Sequence, residues 1–212
     1  MQYGIYIDAA RCMGCFACIV ACKDLHDLPA GPASWIRVKT TERGRFPHLS
    51  VSFLPLLCFH CRQPACLEAC PAQAVSKRAE DGIVVVDREA CLGKDSCGLC
   101  LEACPYDAPQ FGTEENPKMQ KCDLCLDRLQ KGEKAFCALS CPMEAIVIGP
   151  LEELQARFGK ERETEGFTFD PNLEPSVVFK AKRVSSALRP CREYITPEKE
   201  GVFGGGDGGR SG

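Results

Sequence analysis

Little in this sequence would take it into or across a membrane. The apolar stretch VSFLPLLCF, residues 51–59, is too short to span a bilayer and contains a proline. The opening MQYGIYIDAARC lacks the basic region, apolar run and small-residue cleavage site of a secretory leader. No sign of charge dominates: 26 Lys and Arg stand against 29 Asp and Glu, a formal net charge of −3, which argues against a nucleic-acid partner. No phosphate-binding glycine motif, nucleophile with its base, or catalytic carboxylate pair stands out. The expectation is a soluble protein, cytoplasmic or peripheral to a membrane, with export folded beside a partner left open. It should own no substrate chemistry.

What is abundant is cysteine, with seventeen in 212 residues, near the level of a cysteine-built scaffold. The 45% hydrophobic content includes them, so the apolar supply for a packed core is lean. Without export, so many thiols meet a reducing compartment, where metal binding is favoured over disulfides.

Sixteen cysteines form four quartets. Cys12, Cys15, Cys18 and Cys22 have C-x2-C-x2-C-x3-C spacing, and Cys58, Cys61, Cys66 and Cys70 have C-x2-C-x4-C-x3-C. Cys91, Cys97, Cys100 and Cys104 have C-x5-C-x2-C-x3-C, and Cys122, Cys125, Cys137 and Cys141 have C-x2-C-x11-C-x3-C. Every quartet ends in C-x3-C, and three continue into Pro71, Pro105 and Pro142, with Lys23 in the first. Three close cysteines can wrap a cubane. The fourth, one helical turn on, can face a neighbouring cluster. Structural zinc takes ligands as two separated pairs and fits the crowded first quartet poorly, while C-x2-C-x2-C gives poor geometry for internal disulfides.

The segment around the second and third quartets reads as a continuous two-cluster ferredoxin. PAQAV, the Asp81-Gly82 turn and IVVVD predict a hairpin, and PYDAPQF a closing extended segment. The first quartet follows a strand-like YGIYID, and the fourth ends in CPMEAIVIG, a closing strand. Asp8 and Asp87 each stand four residues before a first cysteine. The outer quartets therefore read as halves of one ferredoxin with the other inserted between them. The fold class is α+β. An outer split module over 1–50 and 106–149 holds an inserted module over 51–105, and 150–212 form a loop-rich extension with a flexible GVFGGGDGGRSG tail. Within that extension, LEELQARFGK predicts an amphipathic helix and PNLEPSVVFKAKR an extended segment.

The crossing rule gives four ligand sets. In the outer module they are Cys12, Cys15, Cys18, Cys141 and Cys22, Cys122, Cys125, Cys137. In the inner module they are Cys58, Cys61, Cys66, Cys104 and Cys70, Cys91, Cys97, Cys100.

The segments LCFHCRQPACLEACPAQAV, DGIVVVDREACLG, CLEACPYDAPQF and KCDLCLDRLQKGEKAFCALSCPMEAIVIG resemble the four-cluster iron–sulfur subunits of the dimethyl-sulfoxide-reductase family. The resemblance covers about residues 3–149. It implies the same nested pairing, four [4Fe–4S] clusters, and electron transfer beside a molybdopterin catalytic subunit acting on a sulfoxide, polysulfide, thiosulfate or formate. A membrane anchor or quinol-oxidising subunit is a further candidate partner. A hydrogenase, a formate-lyase-type complex or a free-standing polyferredoxin are alternative settings.

Outside the quartets, Cys191 reads as a free thiol. His26 and His60 read as ordinary polar residues near the surface, with contact to a cluster sulfur as the alternative. Lys118, Lys121, Arg128, Lys131 and Lys134 form either a solvated face or a docking surface for an acidic partner.

The third quartet departs from the family's usual C-x2-C start. If Lys94 replaced the second cysteine, a three-iron cluster would follow, but Cys100 and Cys104 would both be misplaced. If Lys94, Asp95 and Ser96 are an insertion, every cysteine keeps its role. The expected outcome is four cubanes in the intact oxidised protein and three in Cys91→Ala, counted by iron, sulfide and electron paramagnetic resonance. A [3Fe–4S] signal in the wild type would overturn this.

Overall fold

The computed structural model describes residues 1–184 and 187–197, so the tail expected to be flexible lies outside the described residues. Strand β1 (Tyr3–Asp8) leads into helix α1 (Ala17–Leu25), followed by strands β2 (Ile36–Arg45) and β3 (His48–Leu57). Next come α2 (Ala65–Glu68), β4 (Val75–Lys77), β5 (Val84–Val86) and α3 (Leu99–Glu102). Then α4 (Leu126–Gln130), α5 (Phe136–Leu139), β6 (Ile146–Pro150), α6 (Leu151–Phe158), β7 (Val177–Lys180) and β8 (Pro190–Thr196) complete the order.

The first sheet has the order β6-β1-β7. Strand β1 meets β6 antiparallel, from Tyr3 opposite Pro150 to Ile7 opposite Ile146, joining segments nearly 150 residues apart. On its other edge β1 runs parallel to β7, with Ile5 opposite Val177. Gly4 is needed there, because a Cβ would lie 2.7 Å from the Ser176 carbonyl oxygen. Helix α6 covers this sheet with Leu151 and Leu154, and the Phe158 ring stacks on Tyr6 at 3.8 Å. Both elements read from the sequence beyond residue 149 are present, and both pack on β1.

The second sheet, β3-β2-β8, has no counterpart among the sequence expectations. Strands β2 and β3 make a ten-pair hairpin from Ile36 opposite Leu57 to Arg45 opposite His48, which crosses residues 50 and 51. Its first strand hides from pattern reading because it buries polar residues: Arg37, Thr40 and Thr41 are each at most 3% exposed. Arg37 is made tolerable by Asp107, whose carboxylate and carbonyl oxygens both accept from it at 2.6 Å. The third sheet is the β4–β5 hairpin around Asp81-Gly82, as the sequence predicts.

PYDAPQF is not a strand. Pro105 and Pro109 cannot donate to a ladder, Asp107 is left-handed (φ 55°), and only the Gln110–Gln120 bridge forms. The largest apolar cluster contains Cys18, Cys22, Cys58, Cys122, Cys125 and Cys137 beside Ile5, Ile7, Leu57 and Phe59.

Because Leu154 is only 4% exposed, Leu154→Ala should destabilise the fold by about 2–5 kcal/mol. Chemical denaturation followed by dichroism would read this as a lower midpoint. An unchanged midpoint would mean that α6 is not part of the cooperative unit.

Candidate metal centres

The four cysteine loops share a backbone design. Asp8 Oδ1 accepts from the Ala10 and Arg11 N–H groups at 3.0 and 3.1 Å. Asp87 Oδ1 does the same for Glu89 and Ala90 at 2.9 and 3.3 Å. These aspartates turn the backbone from strand to loop at matching places, as their spacing suggested. Two residues after each first cysteine the backbone is left-handed: Gly14 (φ 69°), His60 (43°), Gly93 (92°) and Leu124 (61°). Such values are uncommon for residues other than glycine, so their recurrence in four loops marks a required bend.

Each loop then enters a short helix whose second residue is the third cysteine: Cys18, Cys66, Cys100 and Cys137. After the fourth cysteine, Pro71, Pro105 and Pro142 open matching turns. In these, left-handed Gln73, Asp107 and Glu144 donate their N–H back to the Cys70, Cys104 and Cys141 carbonyls at 3.0–3.1 Å. The first quartet has Lys23 instead, and its helix continues to Leu25.

This geometry gathers cysteines from different quartets. One cavity is lined by Cys12, Cys15, Cys18 and Cys141. A second has Cys70, Cys91, Cys97 and Cys100. A third has Cys58, Cys61, Cys66 and Cys104. Cys22, Cys122, Cys125 and Cys137 are mutual electrostatic neighbours around a fourth point. Each set draws three thiols from one quartet and one from another.

All seventeen thiols are free of disulfides. Burial pushes the Cys18, Cys22 and Cys66 thiols up to about 12, and neighbouring thiolates add to it. Cys122 and Cys137 rise well above the usual range for the same reasons. The protein alone therefore keeps these groups protonated at neutral pH, and a cationic core is needed to hold them as thiolates. The donor set fits an iron–sulfur cluster of a pair, three thiols from one loop and one from another, whereas structural zinc takes its ligands as two separated pairs. Backbone N–H groups already point at some sulfurs: Ala145 at Cys141 (3.3 Å), Leu124 at Cys122 (3.4 Å) and Met119 at Cys91 (3.5 Å).

The third quartet keeps Cys91 with Cys97 and Cys100 despite its longer loop. Lys94, Asp95 and Ser96 lie exposed, and Asn116 clips the loop. The Asn116 amide donates to the Leu92 carbonyl (2.9 Å), its Oδ1 accepts from Asp95 N–H (3.1 Å), and its own N–H reaches Asp95 Oδ2 (3.0 Å).

The histidines divide. His26 is half-buried, tilted against Trp35, with Nε2 3.6 Å from Cys125 Sγ. His60 corrects the surface expectation: it is 1% exposed, because its loop is covered by β5 and Ser176. The basic group divides too. Lys121 is buried, Lys118 donates to the Cys91 carbonyl, and Arg128 pairs with Glu133, leaving Lys131 and Lys134 exposed. Cys191 is exposed on β8. Among the described residues no helix is long and apolar enough to cross a membrane.

Two stretches match the family described as 4Fe-4S dicluster domain, over residues 49–151 and 11–74. The sequence is 38% identical over 207 residues to the B chain of anaerobic dimethyl sulfoxide reductase from Escherichia coli, covering 94% of this protein and 98% of the relative. The B subunit of sulfite dehydrogenase from Allochromatium vinosum is 34% identical, covering 93% of this protein and 88% of its own length. The B subunit of tetrathionate reductase from Salmonella typhimurium is 38% identical, with 74% and 61% covered. The two dicluster matches and the cysteine supply assign four [4Fe–4S] clusters as cofactors.

A Cβ on Gly14 would stand 2.5 Å from the Phe53 ring, at a φ that side chains disfavour. Gly14→Val should therefore lower cluster content from four toward three, read by iron and sulfide analysis. Full loading of the variant would show that this bend is dispensable.

Proposed function

The protein belongs to the family of reductase iron–sulfur subunits that includes the B chain of anaerobic dimethyl sulfoxide reductase. On that premise we propose that it relays single electrons by way of four [4Fe–4S] clusters, between a molybdopterin (Mo or W) catalytic subunit and a quinone-side or soluble redox partner. The observation that carries this reading is the exchange of cysteines between quartets, which builds two pairs of adjacent sites. Each bound cluster supplies a one-electron redox centre.

The ligand sets proposed are Cys12, Cys15, Cys18, Cys141; Cys22, Cys122, Cys125, Cys137; Cys58, Cys61, Cys66, Cys104; and Cys70, Cys91, Cys97, Cys100. The cavity linings support three of them, and the mutual burial of four thiols supports the remaining one. The nested division, with 51–105 inserted between 1–50 and 106–149, is supported by the β1–β6 pairing that ties the outer segments together. The region from 150 onward reads as an extension that braces β1 through α6 and β7.

The residues around the cysteines hold sulfur, exclude water and present surfaces. Ile146 and Val38 wall the first cavity, while Met13 (57% exposed), Met143 (40%) and Cys15 reach solvent there. Leu92 and Leu99, each 47% exposed, do the same beside the Cys70/Cys91/Cys97/Cys100 cavity. Apolar rims at both cavities suit partners that dock closely and displace water. The relatives are named as B components of larger reductases or dehydrogenases, which supports a catalytic chain as one of those partners.

Four [4Fe–4S]²⁺ cores with their thiolates take the formal charge from −3 to about −11, and each electron added makes its neighbour harder to reduce. Redox titration of the cluster-loaded protein should take up four electrons, with spin coupling between paired sites. Cys22→Ser should alter the site of Cys122, Cys125 and Cys137 and leave that of Cys12, Cys15 and Cys18 formed. Four uncoupled titrations, or loss of the Cys12 site instead, would refute the relay or its ligand sets respectively.

A further inference from the structure

Among the described residues Lys121 is the one buried lysine, 4% exposed, and no carboxylate pairs with it. The other buried cation, Arg37, has Asp107. A buried ammonium without a counter-charge costs several kcal/mol, so an anionic group should stand beside it. Lys121 Nζ donates to the Val84 carbonyl and to the Cys122 carbonyl (3.0 Å), which leaves one of its three N–H bonds without a protein acceptor. Lys121 also lines the cavity of Cys58, Cys61, Cys66 and Cys104, as does Val84.

Val84 carries a second polar group on its other side. Its N–H donates to His60 Nδ1 at 2.9 Å, which requires the imidazole proton on Nε2. That Nε2 is buried and has no partner. One strand residue thus fixes two donor groups, each left with one N–H that has no protein acceptor. Lys77 adds a third group, donating to the Cys61 and Arg62 carbonyls at 2.8 and 2.9 Å.

Position gives the arrangement its meaning. Lys121 is bonded through the backbone to Cys122 of the outer pair of sites, while its ammonium faces a site of the inner pair. It stands at the joint between the two pairs.

We propose that Lys121 and His60, set by the backbone of Val84, raise the reduction potential of the site held by Cys58, Cys61, Cys66 and Cys104. They thereby make it the preferred resting place for an electron crossing the joint. This inference rests on the relay reading and its ligand sets. The crossing is a one-electron exchange: the site of Cys22, Cys122, Cys125 and Cys137 is oxidised by one electron and the joint site is reduced by one, with no proton moved. The ammonium acts because the added negative charge appears beside it in a low-dielectric interior. The Lys121 N–H left without a protein acceptor is available to sulfur at this cavity, and the unpartnered His60 N–H places the positive end of a buried dipole in the loop between Cys58 and Cys61; both favour the reduced form.

Lys121 and His60 are positioning residues, so the readout is a potential. In the full-length protein loaded with four clusters, Cys58→Ser first identifies which paramagnetic signal belongs to the joint site. Lys121→Met should lower that signal's midpoint by more than about 59 mV, a tenfold change in the one-electron equilibrium, with the other three less affected. Lys121→Arg should restore most of it. Asparagine keeps an acceptor for Val84 and tolerates the left-handed φ of 43° at position 60. His60→Asn should therefore give a smaller fall in the same signal, and it serves as the deciding variant if Lys121→Met does not assemble. Unmoved midpoints with four clusters present would overturn this inference alone. Fewer than four clusters in the wild type, or a Cys58→Ser change that maps to no single signal, would overturn the relay reading beneath it.

Discussion

Between the third and fourth cysteine of every quartet the backbone makes one short helical turn, and the two thiols leave it toward different sites. Cys18 lines the first cavity while Cys22 sits with Cys122 and Cys137, four residues and one turn away. Cys66 and Cys70, and Cys100 and Cys104, part in the same manner. A turn of helix spans about 5 Å, so sites that share such a turn are held close by covalent geometry. The pairing of sites therefore does not depend on weak packing between modules. It is fixed by four residues of backbone.

The same constraint explains how so lean a core can fold. The largest apolar cluster has cysteines through its middle, and β1, β6 and β7 close over them. Metal–sulfur bonding substitutes for part of the apolar burial that the composition does not supply, as in other small metal-built domains. The buried thiols show the cost side: burial and neighbouring sulfurs hold Cys122 and Cys137 well above the usual thiol range, so ionising them is costly until a cationic core is bound. Lysines and arginines spent on loop carbonyls, such as Lys118 on Cys91 and Lys77 on Cys61, place positive charge near the sulfurs without competing for them.

How much of this was legible follows from what each feature needs. Cysteine spacing survives in sequence because the helical turn that uses it is local, so the quartets and their short helices could be read. Strands YGIYID and AIVIG were legible from their apolar character, and Asp8 and Asp87 from their fixed distance to a cysteine. The β2–β3 hairpin was not, because buried Arg37, Thr40 and Thr41 break the binary pattern and are compensated by distant Asp107. Lys121 was lost among four other cations. Nothing local distinguishes a lysine that will bond Val84, 37 residues away, from one bound for solvent. His60 was misread for the same reason, since its burial comes from β5 and from Ser176, 116 residues on.

Burial also differs from site to site. At the Cys12 cavity Cys15 is exposed, and at the Cys91 cavity the rim carries exposed Leu92 and Leu99. By contrast, Cys122, Cys137, Cys58, Lys121 and His60 are all under 9% exposed. Charge placed in water is screened within about 8–10 Å, whereas charge in a dry interior acts over longer reach. Electrostatic control is therefore strongest at the buried sites and weakest at those with exposed rims. A partner docked on such a rim would dry it. A partner that covers Met13 and Met143, or Leu92 and Leu99, would change the dielectric around the site it touches, whereas the buried surroundings of Lys121 and His60 keep their setting whether or not a partner is bound.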